Sequence, residues 1–209
     1  MNINELLTNI QKLKHSRIQL KIQKRIQDFK NVNTFSAEEL FQELCFCILT
    51  ANFNAERSIH IHKQIHNCFC TDTKEMLSKK LRQQGYRFPN TRAIYIIDSV
   101  SKKDTLPIII QTLNRDERRT WLAQNIKGLG YKEASHFLRN IGFDDYAIID
   151  SHILDLLERY NLITQPKTLT KKKYIEIENL LHKIAQQMHL TLAELDLYLW
   201  YLETGKILK

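Results

Sequence analysis

Apolar residues return every three or four positions along almost the whole chain, and that spacing predicts helices. Residues 3–30 carry Leu6, Ile10 and Leu13, then Ile22, Ile26 and Phe29, set among lysine, arginine and glutamine. The stretch Ser36–Glu39 has the form of a capping box, and Leu40, Phe41, Leu44 and Ile48 follow it at core spacing. Residues Thr50–Asn54 break that helix, and a second runs from about Ala55 to His66. Arg87–Asn90 reads as a turn, because Pro89 disfavours helix at Phe88. Helices are expected at about 91–103, 107–114 and 116–126. The next runs from Lys132 to Ile141, burying Ala134, Phe137, Leu138 and Ile141, with Gly142 as its C′ residue. Asp150 opens another, with Ile153, Leu156, Leu157 and Tyr160 on one face. A basic knot, Lys171–Lys173, precedes a helix at 174–188, and a second capping box at Thr191–Glu194 opens a last helix that Gly205 stops. No internal repeat, low-complexity segment or linker interrupts the pattern. It predicts an all-α fold.

With 209 residues, the chain suits one domain or two closely packed lobes. It has only 3 prolines and 5 glycines, which agrees with helices rather than a turn-rich β fold. Four cysteines form two Cys-Phe-Cys pairs, Cys45/Cys47 and Cys68/Cys70. Residues two apart on a helix point about 200° apart, so the first pair is ill-placed to chelate one metal. All four are expected to be reduced thiols, mostly buried, in a cytoplasmic protein. Met1–Glu5 lacks the charged leader of a signal peptide, and no apolar run approaches the ~18 residues of a membrane span. Nothing reads as a long exposed apolar seam, so a monomer is expected.

Charge changes the picture more. A net charge of +8 and a pI near 9.3 favour an anionic partner: nucleic acid first, an acidic membrane surface second. A basic soluble protein without such a partner stays open on charge alone.

Two of the few glycines sit in one motif, Gly128–Ala134, which reads GLGYKEA. Helix 116–126, the turn Lys127–Gly130 and the following helix make a helix–hairpin–helix. Glycine adopts positive φ without strain and lets another backbone approach. Turn amides together with a helix N-terminus suit a phosphate, and Lys127 is close enough to assist. A tight turn with no ligand is the alternative. Lys132 is the unusual residue, because an ammonium is disfavoured at the positive end of a helix. Partial desolvation there favours the neutral, nucleophilic amine. Asp150 follows 150 − 132 = 18 residues later. It suits an N-cap, a role compatible with facing a site.

GLGYKEA followed by IIDSH (residues 148–152) resembles the helix–hairpin–helix superfamily of base-excision DNA glycosylases, whose signature ends in G-x-G-x-K with a downstream aspartate. The resemblance covers nearly the whole chain. It implies one catalytic unit, residues 1–209, of two packed helical lobes with the active-site cleft between them and the hairpin at about 116–142. Lys132 matches the family's nucleophile and Asp150 its catalytic carboxylate. His152 matches a position that touches a DNA phosphate, alongside Lys127, Gly128 and Gly130. The C-terminus lacks the four-cysteine iron–sulfur loop of some branches, and Lys132 separates the chain from the alkylation-repair branch. Its length and ending, Trp200–Lys209, are similar to the archaeal-type class of 8-oxoguanine DNA glycosylase/lyase. That likeness implies base recognition by Lys209, Trp200 and Asp196. Asn52, Arg87 and Phe88 look like DNA-probing residues. No cofactor or metal is implied.

The resemblance implies a nucleoid-associated enzyme acting on double-stranded DNA that contains oxidised guanine. Extrusion of the damaged nucleotide comes first. Phe88 would wedge into the stack and Asn52 would contact the base left opposite. Lys132 would attack C1′, Asp150 would stabilise the developing positive charge, and β-elimination would cut the strand. The lesion's N7–H calls for an acceptor, for which the carboxylate of Lys209 is a candidate, and Trp200 could stack on the purine. Plainer roles remain for several of these: loop aromatic for Phe88, helix C-cap for Asn52, core aromatic for Trp200, frayed tail for Lys209. At the level of function, the alternatives are a non-enzymatic helix–hairpin–helix DNA-binding module and a glycosylase for another oxidised base. A metal-dependent nuclease is disfavoured because no convergent Asp/Glu/His cluster is visible.

Overall fold

The computed structural model describes residues 2–32 and 34–209; Met1, the first residue of the stretch read for a leader, lies outside them. The described residues form twelve α-helices, two 3₁₀ turns and no strand. They divide into two units: Met1–Asn31 with Leu138–Lys209, and Val32–Phe137.

In the Val32–Phe137 unit, α3 (Ala37–Thr50) is the centre. Ser36 caps it by accepting from the Glu39 N–H. Sequence spacing predicts one apolar face, but burial goes all round from Glu43 to Thr50, as befits a helix enclosed on every side. α4 (Ala55–Ile65), α6 (Pro89–Val100) and α7 (Leu106–Thr112) pack on it. α5 (Lys74–Gln83), which the hydrophobic pattern missed, lies against α6. α8 (Arg115–Asn125) and the first turns of α9 (Tyr131–Asn140) complete the unit.

In the other unit, α12 (Leu192–Thr204) is central. It touches α1 (Ile3–Lys14), α2 (Arg17–Lys30), α10 (Ser151–Arg159) and α11 (Lys171–Gln187). Its capping box, Thr191 with Glu194, forms in both directions, and Gly205 stops it at φ 70°.

Several expected boundaries need correction. The stretch 3–30, for which the spacing set no internal boundary, is two helices, because the Ser16 hydroxyl accepts from the Ile18 N–H and starts a new one. Pro89 begins α6 rather than sitting in a turn before it: proline suits the first helical position, where no N–H is needed. Lys171–Lys173 is the first turn of α11, capped by Thr170. Of the cysteines, only Cys45 and Cys47 are buried; Cys68 and Cys70 are partly exposed, and all four are free thiols. No helix among the described residues is long and apolar enough to cross a membrane.

Candidate active site

The hairpin is built from its two helices inward. Asn114 and Glu117 form a reciprocal capping box that starts α8. The helix ends at Ile126, which is buried with Leu129 beneath the turn. Tyr131 fastens the two helices. Its hydroxyl meets Thr120 Oγ1 at 2.8 Å, and the Arg119 guanidinium lies 5.0 Å from its ring centroid. Arg119 is almost wholly buried and donates to Ser135 Oγ of α9.

The two turn glycines differ in kind. Gly128 has φ +86°, and a Cβ there would lie 2.4 Å from the ring of Tyr95 in α6. The aromatic face occupies the space that glycine leaves. Gly130 lacks positive φ, and an added Cβ would make only ordinary contact, with Glu133 Oε2 at 3.4 Å. Gly128→Ala is therefore expected to destabilise the protein by about 2–3 kcal/mol, through left-handed strain and overpacking together. Gly130→Ala is expected to leave the melting temperature within about 2 °C of wild type, on a scale where 1 kcal/mol moves it roughly 2–4 °C. Thermal melts followed by circular dichroism distinguish the two.

Two turn amides are already engaged. Leu129 N–H bonds to Ile126 C=O, and Gly130 N–H bonds to Glu133 Oε2 at 3.3 Å. An anion at this end of α9 would approach the amides of its first turn, at the positive end of the helix dipole. Lys127, two-thirds exposed, pairs with Asp98 at 2.6 Å. That carboxylate holds the Lys127 ammonium more firmly protonated than a free lysine. Lys132 is about three-quarters buried, and its Nζ lies 3.7 Å from Glu133 Oε1.

The remaining candidates in this unit converge on Arg92. Asn52 is exposed just past the end of α3, at φ 56°, so the C-cap position falls to Ala51. Phe88 is the N-cap residue of α6, half-exposed, with the exposed Arg87 stacked 4.8 Å from its ring centroid. Arg92 is buried. It donates to Ala51 C=O at 2.7 Å, lies 5.8 Å from the Phe88 ring, and lies 5.5 Å from the Tyr95 ring that packs on Gly128. One guanidinium thus links the Asn52 turn, the Phe88 turn and the hairpin glycine. The sequence gives no sign of this: an arginine in an amphipathic helix reads as solvent-facing.

In the other unit, Asp150 is the N-cap of α10 and its Oδ1 accepts from the Ile153 N–H at 3.0 Å. The segment leading to it, Tyr146–Ile149, is buried without being helix or strand. Three of its backbone groups are satisfied by α11 instead. Glu178 Oε1 accepts from Ala147 N–H, while the Tyr174 hydroxyl donates to Ala147 C=O and accepts from Ile149 N–H. Tyr174 and Glu178 therefore determine where Asp150 sits, and neither stands out in the sequence. The signal that could have found Glu178 is a lone carboxylate on the apolar face of an amphipathic helix.

His152 is exposed and meets Trp200 edge-to-face at 4.9 Å. Trp200 is partly exposed, yet its Nε1 is closed off from solvent and meets no acceptor among the described residues. Asp196 is engaged by Arg139, which donates to its Oδ2 at 3.0 Å and stacks on Phe29. The terminal residues Ile207–Lys209 are partly buried rather than splayed into water.

Comparison with known proteins adds four findings. Residues 22–190 match the family model for 8-oxoguanine DNA glycosylase of helix–hairpin–helix type. The chain is 52% identical to an 8-oxoguanine DNA glycosylase/AP lyase of Methanocaldococcus jannaschii, covering 98% of this chain and 99% of that one. It is 45% identical to the protein of the same description from Korarchaeum cryptofilum, over the full length of both. The crystal structure of the M. jannaschii glycosylase/lyase in complex with a 15mer DNA containing 8-oxoguanine is similar at TM-score 0.95 and 51% identity, covering 98% of this chain and 100% of that one. The chain belongs to the 8-oxoguanine DNA glycosylase family.

Proposed function

We propose that this protein removes 8-oxoguanine from duplex DNA and then cuts the abasic strand. The observation that carries the reading is a shielded lysine at the first turn of a hairpin helix, in a chain of this family.

The chemistry follows from that amine. The lone pair of the Lys132 amine attacks C1′ of the extruded nucleotide, the C1′–N9 bond breaks, and the base leaves with the electron pair. The proton that the lysine loses balances the one that the departing base takes up. Asp150 stabilises the positive charge that develops on the sugar. The C1′–O4′ bond then breaks, O4′ takes the electron pair and a proton from water to become a hydroxyl, and a protonated imine is left between Lys132 and C1′. Loss of a C2′ proton then expels the 3′ phosphate by β-elimination, and water releases the lysine. No redox step is involved.

The remaining residues serve recognition. The first-turn amides of α9 and the Lys127 ammonium grip a phosphate of the backbone, and His152 supplies a further phosphate contact. Phe88, braced by Arg87 and Arg92, enters the base stack, and Asn52 meets the base left opposite. Trp200, Asp196 and Lys209 read the extruded purine. Guanine presents an acceptor at N7 where the lesion presents a donor, and a mismatch of buried polar groups costs about 1–3 kcal/mol. The enzyme acts as a monomer on nucleoid DNA.

Incision of end-labelled duplexes in EDTA tests the reading. An 8-oxoguanine duplex is expected to be cut without added metal, while an otherwise identical guanine duplex is left intact. Binding with no incision would reduce the protein to a DNA-gripping module. Preferential cutting of an oxidised pyrimidine would reassign the lesion. By fluorescence anisotropy on the same duplex, Gly130→Ala is expected to bind more weakly than wild type while keeping the fold, because an added methyl obstructs the approach of a phosphate.

A further inference from the structure

Glu133 follows the proposed nucleophile directly, and neither the hairpin signature nor the chemistry above gives it a role. A glutamate three residues after the start of a helix is ordinarily a cap, and Glu133 does cap: its Oε2 accepts from the Gly130 N–H at 3.3 Å. A cap needs only one oxygen. The other, Oε1, lies 3.7 Å from Lys132 Nζ. Neighbours i and i+1 on a helix diverge by about 100° and do not normally face each other. Here both side chains fold back over the start of α9, and both are largely withdrawn from water, at 23% exposure for Lys132 and 17% for Glu133.

We infer that Glu133 is a positioning residue for the reaction: one carboxylate ties the hairpin's last turn amide to the amine that attacks the sugar. Both of its partners are donors, so the arrangement requires two acceptors at the end of one side chain. A carboxylate supplies them. A glutamine does not, because whichever way its amide turns, an NH₂ group faces a donor. The same oxygen then lies beside the cationic imine once the bond to C1′ has formed, where a negative charge is favourable. Through Gly130 the carboxylate also couples the turn that grips the phosphate to the placement of the nucleophile.

This inference rests on Lys132 forming the imine, and the controls separate the two claims. Wild type must be trapped on the lesion duplex by borohydride, and Lys132→Gln must not; failure of either control counts against the proposed function instead. With both in place, single-turnover trapping at saturating duplex is compared for Glu133→Gln and Glu133→Asp, with duplex affinity measured alongside. Glu133→Gln is expected to slow trapping roughly tenfold to a hundredfold, the range for a displaced reacting group, with affinity within about twofold of wild type. Glu133→Asp keeps two acceptors on a shorter stem and is expected to recover part of the rate. A role confined to capping predicts the reverse order, since one acceptor suffices for the Gly130 amide. Trapping of Glu133→Gln at the wild-type rate, or of Glu133→Asp no faster than Glu133→Gln, overturns the inference. Titration of active sites with duplex before each run normalises the rates for any unfolded fraction.

Discussion

Lys132→Gln is expected to abolish the borohydride-trapped complex and strand cleavage, and to lower base removal by at least ~1,000-fold, as loss of a covalent nucleophile does. Glutamine keeps a polar end on a side chain one atom shorter and has no nucleophilic amine. The fold should not suffer. Lys132 packs at the first turn of α9, where its loss relieves a charge opposed to the helix dipole but also removes the ion pair with Glu133, so stability should change by less than about 1 kcal/mol. Duplex affinity should stay within a few fold, since Lys127 and the backbone amides of the hairpin remain. The measurement is single-turnover excision and trapping on one lesion duplex, with affinity from fluorescence anisotropy. A trapped complex persisting in Lys132→Gln would move the nucleophile to another amine.

Asp150→Asn separates two roles that the structure superimposes on one side chain. Asp150 caps α10 through Oδ1, and asparagine caps a helix about as well as aspartate. The variant should therefore melt within about 2 °C of wild type. What it loses is negative charge, and the excision rate should fall about 100-fold to 10,000-fold with little change in binding. Asp150→Ala removes the cap as well and should lose about 1 kcal/mol of stability in addition. If Asp150→Asn excises at the wild-type rate, the residue is a cap and nothing more.

How much of this was legible in the sequence depends on whether a feature is local. Local ones read well: the capping serine, threonine and aspartate at positions 36, 191 and 150, the glycine stops, and the hairpin itself all act within a few residues of chain. Ser16 also acts locally, but the apolar pattern runs on through it and marks no boundary between the two helices that it separates. α5 escaped because its buried positions, Leu77, Ser78 and Leu81, include only two apolar residues. The hidden part of the site consists of long-range polar contacts. Arg92 reaches the carbonyl of Ala51, and Glu178 reaches the amide of Ala147. Composition counts such residues as surface, and only the packing shows them to be interior. Glu133 lies between these cases: its cap is local, but its second oxygen gains meaning only once the lysine beside it folds back.

The buried passage before Asp150 has a consequence for how this protein can change. Loops between helices ordinarily accept insertions and drift in length, because water satisfies whatever backbone they expose. Residues 146–149 lack that freedom: the amides of Ala147 and Ile149 and the carbonyl of Ala147 are answered by a tyrosine and a glutamate on a helix 25 to 31 positions later, and buried groups find no water to take over if the register shifts. A single added residue there would strand those groups and carry the carboxylate out of place at the same time. Evolution and engineering should find the length of this loop rigid.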